Sequence, residues 1–357
     1  MEKLKLEVAN GISEIKIGHG ILNEFFKSLN FKKSFFVVDK FVYDKFLKNY
    51  FSFINDKLNE RNLYLVNCVE ENKNINTSIE IINKLSSENY LRDALIIGIG
   101  GGIIGDIVGF ISSIYMRGID FINVPTTLLA QVDSSIGGKN ALNACDVKNL
   151  IGTFKQPKEI IIDIKFLETI TKRELISGLA EVIKYGIVFE YRFLNYVEKN
   201  LKNIFDYDFK ILQNVVRESC KFKISVVEKD ECDVSVRKFL NFGHTIGHAV
   251  ESSTDYKVYT HGESVLIGMF FETCIAFELN LINENYFVYI CNLIRSFGLT
   301  FDTKLFLKDS FCSALLRDKK NKNDKISFIL PCGESKVCDR EFCLSEIMEF
   351  DFSRYYF

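Results

Sequence analysis

The chain has 357 residues, 47% of them hydrophobic, and carries a net charge of −2 at neutral pH. That length and apolar content suit two domains with a sizeable core. The near-neutral charge excludes a strong general attraction for nucleic acid or an anionic membrane, so any anion site must be local.

The opening MEKLKLEVAN has no apolar stretch of the kind a secretory signal needs. No run reaches the roughly 18 apolar residues of a membrane span. The ten cysteines are scattered without a C-x-x-C pair, which speaks against a zinc ribbon or a dithiol redox motif. They read as reduced, mostly buried small hydrophobes in a cytoplasmic protein.

In chain order, Lys3–Val8 and Glu14–Ile17 flank Asn10-Gly11 and predict a hairpin. Short apolar runs predict strands at Phe35–Asp39, Leu63–Cys68, Ala94–Ile99, Phe121–Val124 and Glu159–Ile164. Helical patterns cover Val42–Ile54 and about Asn76–Glu88. This alternation predicts an α/β domain with a mostly parallel sheet. Beyond Leu167 the period changes. Helices are expected over Arg173–Val188, Phe209–Glu228, Phe239–Ser252, Gly262–Leu281 and Tyr286–Phe297, with short strands at Lys325–Leu330 and Ser335–Cys338. The expected division is an α/β nucleotide-binding domain over 1–166 and a mainly α-helical C-terminal domain over 167–357.

Gly100-Gly101-Gly102-Ile103-Ile104-Gly105 fits G-x-G-x-x-G between a strand and a helix. Glycines there let backbone N–H groups approach a pyrophosphate at the positive end of the helix. A tight strand-to-helix turn is the plainer alternative. At least two strand–helix units precede the loop, whereas a simple Rossmann domain places it in the first. Asp39, ending its strand, is a candidate for ribose hydroxyls.

The four histidines are His19, His244, His248 and His261. His244 and His248 are four apart on one helical face, and His261 opens another helix. Glu181 and Lys184 share a third. A carboxylate and two imidazoles with an open fourth position suit a catalytic zinc. Spacing alone leaves two choices, since His244 and His248 could both be ligands. Lysines beside glycine turns, among them Lys139, Lys148, Lys184 and Lys223, together with Arg237 and the pair Lys319-Lys320, suggest anion recognition.

The motifs GGGIIGDIVGF, YMRG, VPTTLLAQVDSSIGGKNALN, KNLIGTFKQP, RELISGLAEVIKYGIV, KFLNFGHTIGHAVE, HGESVLIGM and LRDKK, in this order from Gly100 to Lys320, resemble the 3-dehydroquinate synthase family. The resemblance implies a cytoplasmic, homodimeric, NAD- and metal-dependent lyase. Such an enzyme turns 3-deoxy-D-arabino-heptulosonate 7-phosphate into 3-dehydroquinate and phosphate. The route is transient oxidation by NAD, phosphate elimination, re-reduction and an intramolecular aldol closure. By resemblance the metal ligands are Glu181, His244 and His261, holding zinc, with cobalt as the alternative. Asp133, Lys139, Asn149, Lys184, Lys223, Arg237, Asn241 and His248 correspond to active-site positions, as does one of Lys319 and Lys320. Arg117 corresponds to an arginine that reaches the partner subunit's site. The NAD positions are Asp39, Glu70, Lys73, Gly102, Gly105, Asp106, Thr126, Thr127, Lys139, Lys148, Phe166 and Thr169. Two departures stand out: Asn140 where threonine is usual after GGK, and CVEENK (Cys68–Lys73) in place of Asp-Gly-Glu-x-x-Lys. The competing readings are a 2-deoxy-scyllo-inosose or valiolone-type cyclase, and an NAD-dependent polyol dehydrogenase.

Overall fold

A computed structural model describes residues 1–48, 57–145, 147–316 and 325–355. The chain separates into two compact units, Met1–Thr171 with Asp206–Cys232, and Lys172–Phe205 with Asp233–Phe357.

The first unit is built on a seven-stranded sheet of order β1-β2-β9-β6-β5-β3-β4. The hairpin at Asn10-Gly11 forms as expected, pairing β1 (Glu2–Val8) with β2 (Gly11–Gly18) antiparallel. The remaining strands, β3 (Ser34–Asp39), β4 (Leu63–Val66), β5 (Leu95–Gly100), β6 (Asp120–Pro125) and β9 (Glu159–Asp163), run parallel. Alternation along β3 supplies both faces. Phe36 and Val38 pack with Phe25 and Phe26 of helix α1 (Leu22–Ser28). Phe35 and Val37 pack with α2 (Ile75–Ser87) and α3 (Gly102–Ile114) through Ile81, Leu85, Ile107 and Ile111. Both sides of the strand are dry, so its sequence reads as a continuous apolar run.

The chain leaves β3 for β4 at the sheet edge and returns to β5 on the other side of β3. The carboxyl ends of β3 and β5 therefore flank a topological switch point, where open α/β sheets bind ligands.

Three sequence-based expectations change. The helix expected over Val42–Ile54 begins as a helical turn at Lys40–Val42 and continues as a wider π-type turn at Tyr43–Leu47; positions 49–54 of that expectation lie outside the described residues. A second hairpin, β7 (Lys139–Ala144) with β8 (Val147–Phe154), forms where no strand was expected. Its first strand, mostly Lys, Asn and Ala, carries little β-propensity, and Lys148-Asn149 and Gly152 interrupt the stronger formers of the second. The helix expected over Phe239–Ser252 is broken: Val236–Asn241 is a 3-10 turn, and Gly243 takes φ +80° before a new helix starts at His244.

Segment 206–232 groups with the first unit although its period is helical. Helix α6 (Phe209–Val227) follows α4 (Lys172–Phe189) and α5 (Tyr191–Lys199) in the chain. It turns Leu212, Val215, Val216 and Cys220 inward and ties Gln213 and Arg217 to Glu2 at 3.1 and 3.3 Å. No single chain boundary describes the compact units.

The second unit gathers α4 with α7 (His244–Ser253), α8 (His261–Glu278) and α9 (Glu284–Arg295), and carries the hairpin of β10 (Ile326–Gly333) and β11 (Lys336–Phe342). No helix among the described residues is long and apolar enough to cross a membrane.

Candidate active site

In the first unit the glycine loop sits where its pattern predicts. Gly100 ends β5, Gly101 caps α3, and Gly102 opens it. A methyl group at Gly100 would meet Ile104 Cγ1 at 2.4 Å and Asp39 Cβ at 3.2 Å, so only glycine lets the loop pass this close to the end of β3. The free N–H groups of the first turn of α3 thus face the switch point beside Asp39. Thr126 and Thr127 follow β6, the Thr126 N–H donating to the Gly100 carbonyl at 3.0 Å.

Next to this loop lies a polar network. Lys73 Nζ contacts Asp106 and donates to Asn149 Oδ1 at 2.5 Å. Burial pushes the Asp106 carboxyl above its usual value against the pull of Lys73. Asn143 joins Asn149 to Glu70, accepting from the Asn149 N–H at 2.9 Å and donating to Glu70 Oε1 at 2.8 Å. Lys148 lies 3.9 Å from the same Glu70 carboxylate. The altered Cys68–Lys73 stretch therefore still delivers Glu70 and Lys73 to the glycine loop's helix. The other departure, Asn140, is buried and donates to the carbonyls of Gly138 and Lys155 at 2.8 and 3.1 Å. It pins the turn that presents the exposed Lys139. Lys223 of α6 reaches Asp133 at 2.5 Å. Phe166 is fully buried against Phe46, so its side chain belongs to the core, while Thr169 is half-buried nearby and donates to the Phe166 carbonyl at 2.7 Å. Arg117 is exposed, and it and Met116 both hold positive φ, 65° and 51°.

In the second unit α4, α7 and α8 approach closely enough to exclude side chains. A Cβ on Gly262 would stand 2.1 Å from the Ser177 carbonyl oxygen, and one on Gly268 would stand 1.9 Å from that of Gly243. These contacts bring Glu181, His244 and His261 together, with donor atoms within 4.8 Å of one another. Glu181 Oε1 is buried, makes no hydrogen bond among the described residues, and faces His244 Nε2 at 3.5 Å and His261 Nε2 at 3.7 Å. An orphaned, buried carboxylate oxygen facing two imidazole nitrogens is a donor set that fits a divalent cation such as zinc.

The electrostatics agree. Burial opposes ionisation of Glu181, but the adjoining Lys184 ammonium and the two imidazoles hold its carboxyl well below the usual range. Burial and Lys184 push His244 down to about 3. His261 is raised to about 10, because Glu181 and Glu251 outweigh its burial. His248 is exposed, and its ring lies 5.3 Å from that of His244 and 6.0 Å from that of His261. It also forms a second possible donor group with Glu251 and His261. Arg237 is buried and Asn241 half-buried on the 3-10 turn. Lys319 and Lys320 lie outside the described residues.

Sequence reasoning passed over three buried carboxylates around the cluster. Glu251 Oε2 lies 3.1 Å from His261 Nδ1. Glu263 completes a capping box with Thr260 at the start of α8 and binds Arg173 of α4. Glu272 accepts from the N–H groups of Gly243 and Ile246 at 2.6 and 3.2 Å, holding the start of α7. Only the Thr260-x-x-Glu263 capping signature was readable in advance.

This fold is the one sugar-phosphate cyclases use. A 2-deoxy-scyllo-inosose synthase complexed with carbaglucose-6-phosphate, NAD+ and Co2+ superposes with a TM-score of 0.86 at 24% identity, covering 98% of both chains. A 2-epi-5-epi-valiolone synthase from Streptomyces hygroscopicus subsp. jinggangensis 5008, with NAD+ and Zn2+ bound, gives 0.85 at 23% identity over 98% of this chain and 97% of that one. Family models described as 3-dehydroquinate synthase N-terminal and C-terminal match residues 63–177 and 178–321. The 3-dehydroquinate synthase of Alkaliphilus metalliredigens (strain QYMF) is 41% identical over 338 residues, 94% of each chain. The chain belongs to the 3-dehydroquinate synthase family.

Proposed function

We propose that this chain eliminates phosphate from 3-deoxy-D-arabino-heptulosonate 7-phosphate and closes the product to 3-dehydroquinate. The observation that carries this reading is the convergence of Glu181, His244 and His261, in a family member, on a buried carboxylate oxygen. In this reading the first unit takes NAD at the glycine loop through Gly102, Gly105, Asp39, Asp106, Thr126 and Thr127, with Lys73 and Glu70 ordering the neighbouring network. Phe166 would contribute only backbone, and Thr169 follows it.

Glu181, His244 and His261 would hold the divalent ion, zinc or cobalt. When bound, NAD supplies a reversible oxidation, and the ion supplies a Lewis acid for hydroxyl and carbonyl oxygens. The chain's own residues do the rest. Lys139, Lys148, Lys223 and Arg237 neutralise the carboxylate and phosphate. Asn149 and Asn241 add directional hydrogen bonds. Asp133 and Lys184 orient hydroxyls, and His248 contacts the substrate from the exposed side of α7. The leaving phosphate is suited to take the proton itself, which would account for the lack of a dedicated carboxylate pair in the motifs.

The partner we propose is a second copy. Arg117 is presented on a turn with two consecutive left-handed residues, and β8 exposes Val147, Leu150, Ile151 and Phe154. Lys155, just past that strand, donates to the Ser112 carbonyl at 3.0 Å and so ties the strand to the helix before the turn. Exposed apolar side chains beside an exposed arginine on a strained turn suit a homodimer in which Arg117 grips the other subunit's substrate phosphate. A cytoplasmic setting suits the cysteines, which form no disulfide among the described residues.

The test is to incubate the purified protein with the heptulosonate phosphate, NAD and zinc or cobalt. Equal release of phosphate and dehydroquinate without net NADH is expected. NADH growing in step with product would overturn the reading in favour of a dehydrogenase.

A further inference from the structure

We propose that Glu251 is a positioning residue that locks the tautomer of His261 and thereby sets the metal affinity of the site. The inference rests on the metal-centre reading above and goes beyond its ligand set.

His244, His248 and Glu251 stand at i, i+4 and i+7 on α7, one stripe of that helix. The stripe faces the first residue of α8, His261. Glu251 is 6% exposed, and its Oε2 lies 3.1 Å from His261 Nδ1. An ionised carboxylate can only accept a hydrogen bond, so Nδ1 carries the ring proton. When a divalent ion takes the place of the second ring proton, Nε2, 3.7 Å from Glu181 Oε1, is the nitrogen left to donate to it.

His244 is oriented in the same sense, but by a weaker partner. Its Nδ1 lies 3.1 Å from the backbone carbonyl of Phe242. The two imidazoles are therefore unequal. One is backed by a neutral carbonyl, the other by a buried carboxylate that makes the ring the stronger donor. Glu251 also has a ring nitrogen of His248 within 4.8 Å. The same carboxylate thus stands between the ligand His261 and the histidine assigned to the substrate. Losing it should loosen metal binding first and disturb substrate binding second.

The test uses metal-free full-length protein titrated with Zn2+ and with Co2+ against a competing chelator, for the parent, Glu251→Gln and Glu251→Asp. Glu251→Gln is expected to weaken both metals by about 10- to 100-fold. Glu251→Asp should recover part of that loss. In the metal-bound parent, nitrogen NMR should find the His261 proton on Nδ1, and Glu251→Gln should shift that signal. Glu251→Gln that melts like the metal-free parent yet binds both metals with the parent's affinity would overturn the inference. If Glu251→Gln does not fold, Glu251→Ala takes its place, and parent-like affinity for both metals in that variant together with an unshifted His261 signal would overturn it too. Failure of the parent itself to bind either metal is a different result, and it removes the metal-centre reading along with this one.

Discussion

Truncating His261 to alanine takes away one of two nitrogens facing the orphaned Glu181 oxygen. His261→Ala is expected to abolish turnover and to remove tight metal binding, read by chelator competition. Turnover by this variant at the parent's rate would refute the ligand assignment. Arg117 offers a test with opposite signs in two measurements. A non-glycine residue in the left-handed region costs roughly 1–2 kcal/mol, and Arg117 sits there at φ 65°. Arg117→Gly should leave stability unchanged or raise it by up to about 1 kcal/mol after glycine's own entropic cost. The same change should lower turnover about tenfold or more, the loss expected for a charge-assisted phosphate contact worth about 1.5–3 kcal/mol. A stable variant with full activity would leave the strained turn without a catalytic purpose.

The ligand set depends on helices that touch backbone to backbone. Gly262, the second residue of α8, lies directly against the Ser177 carbonyl of α4, and Gly268 lies on that of Gly243 just before α7. Gly262→Ala should overpack this crossing and cost about 1–3 kcal/mol or more, read as a fall in the denaturant midpoint. Metal affinity should fall with it, because the same crossing spaces Glu181 from His261. The carboxylate of Glu272 holds the other approach. Glu272→Ala leaves two buried N–H groups at the start of α7 without their acceptor and should cost roughly 1–3 kcal/mol. Unchanged stability in both variants would mean that these helices adjust more freely than their contacts imply.

For the molecule as a whole, a metal that binds only the folded chain must stabilise it. At about 100 times its dissociation constant, zinc should add roughly 2.7 kcal/mol. That appears as a rise in thermal midpoint which Glu181→Ala abolishes. Subunit exchange tests the assembly. If Arg117 acts on its partner, an Arg117→Ala subunit paired with a Glu181→Ala subunit contains one intact site and should recover activity. Verified mixed dimers with no recovery would place the arginine's role within its own subunit.

Much of this protein is determined locally and could be read from the chain. The β1–β2 turn, the strand–glycine–helix junction at Gly100–Gly105 and the apolar strands depend on φ preferences and neighbours a few residues apart. The residue types of the metal cluster were legible for the same reason, since a carboxylate and imidazoles advertise their chemistry wherever they sit. Choosing His261 over His248 needed the family resemblance, and the orphaned Glu181 oxygen now supports that choice from geometry. Other features were decided only by tertiary contacts. The β7–β8 hairpin has a weak first strand, and Asn143 ties it both to Glu70 and to the Asn149 N–H across the turn. Helix α6 groups with the sheet through Glu2, Asp133 and the apolar face around Val216. The helix expected at Phe239 breaks because Gly243 must lie on α8, where its Cβ would meet Met269 Cγ at 2.4 Å. Glu251 reads in the sequence as one more polar helix residue. Its meaning comes from His261, ten positions away and on another helix, which only packing in three dimensions brings to 3.1 Å.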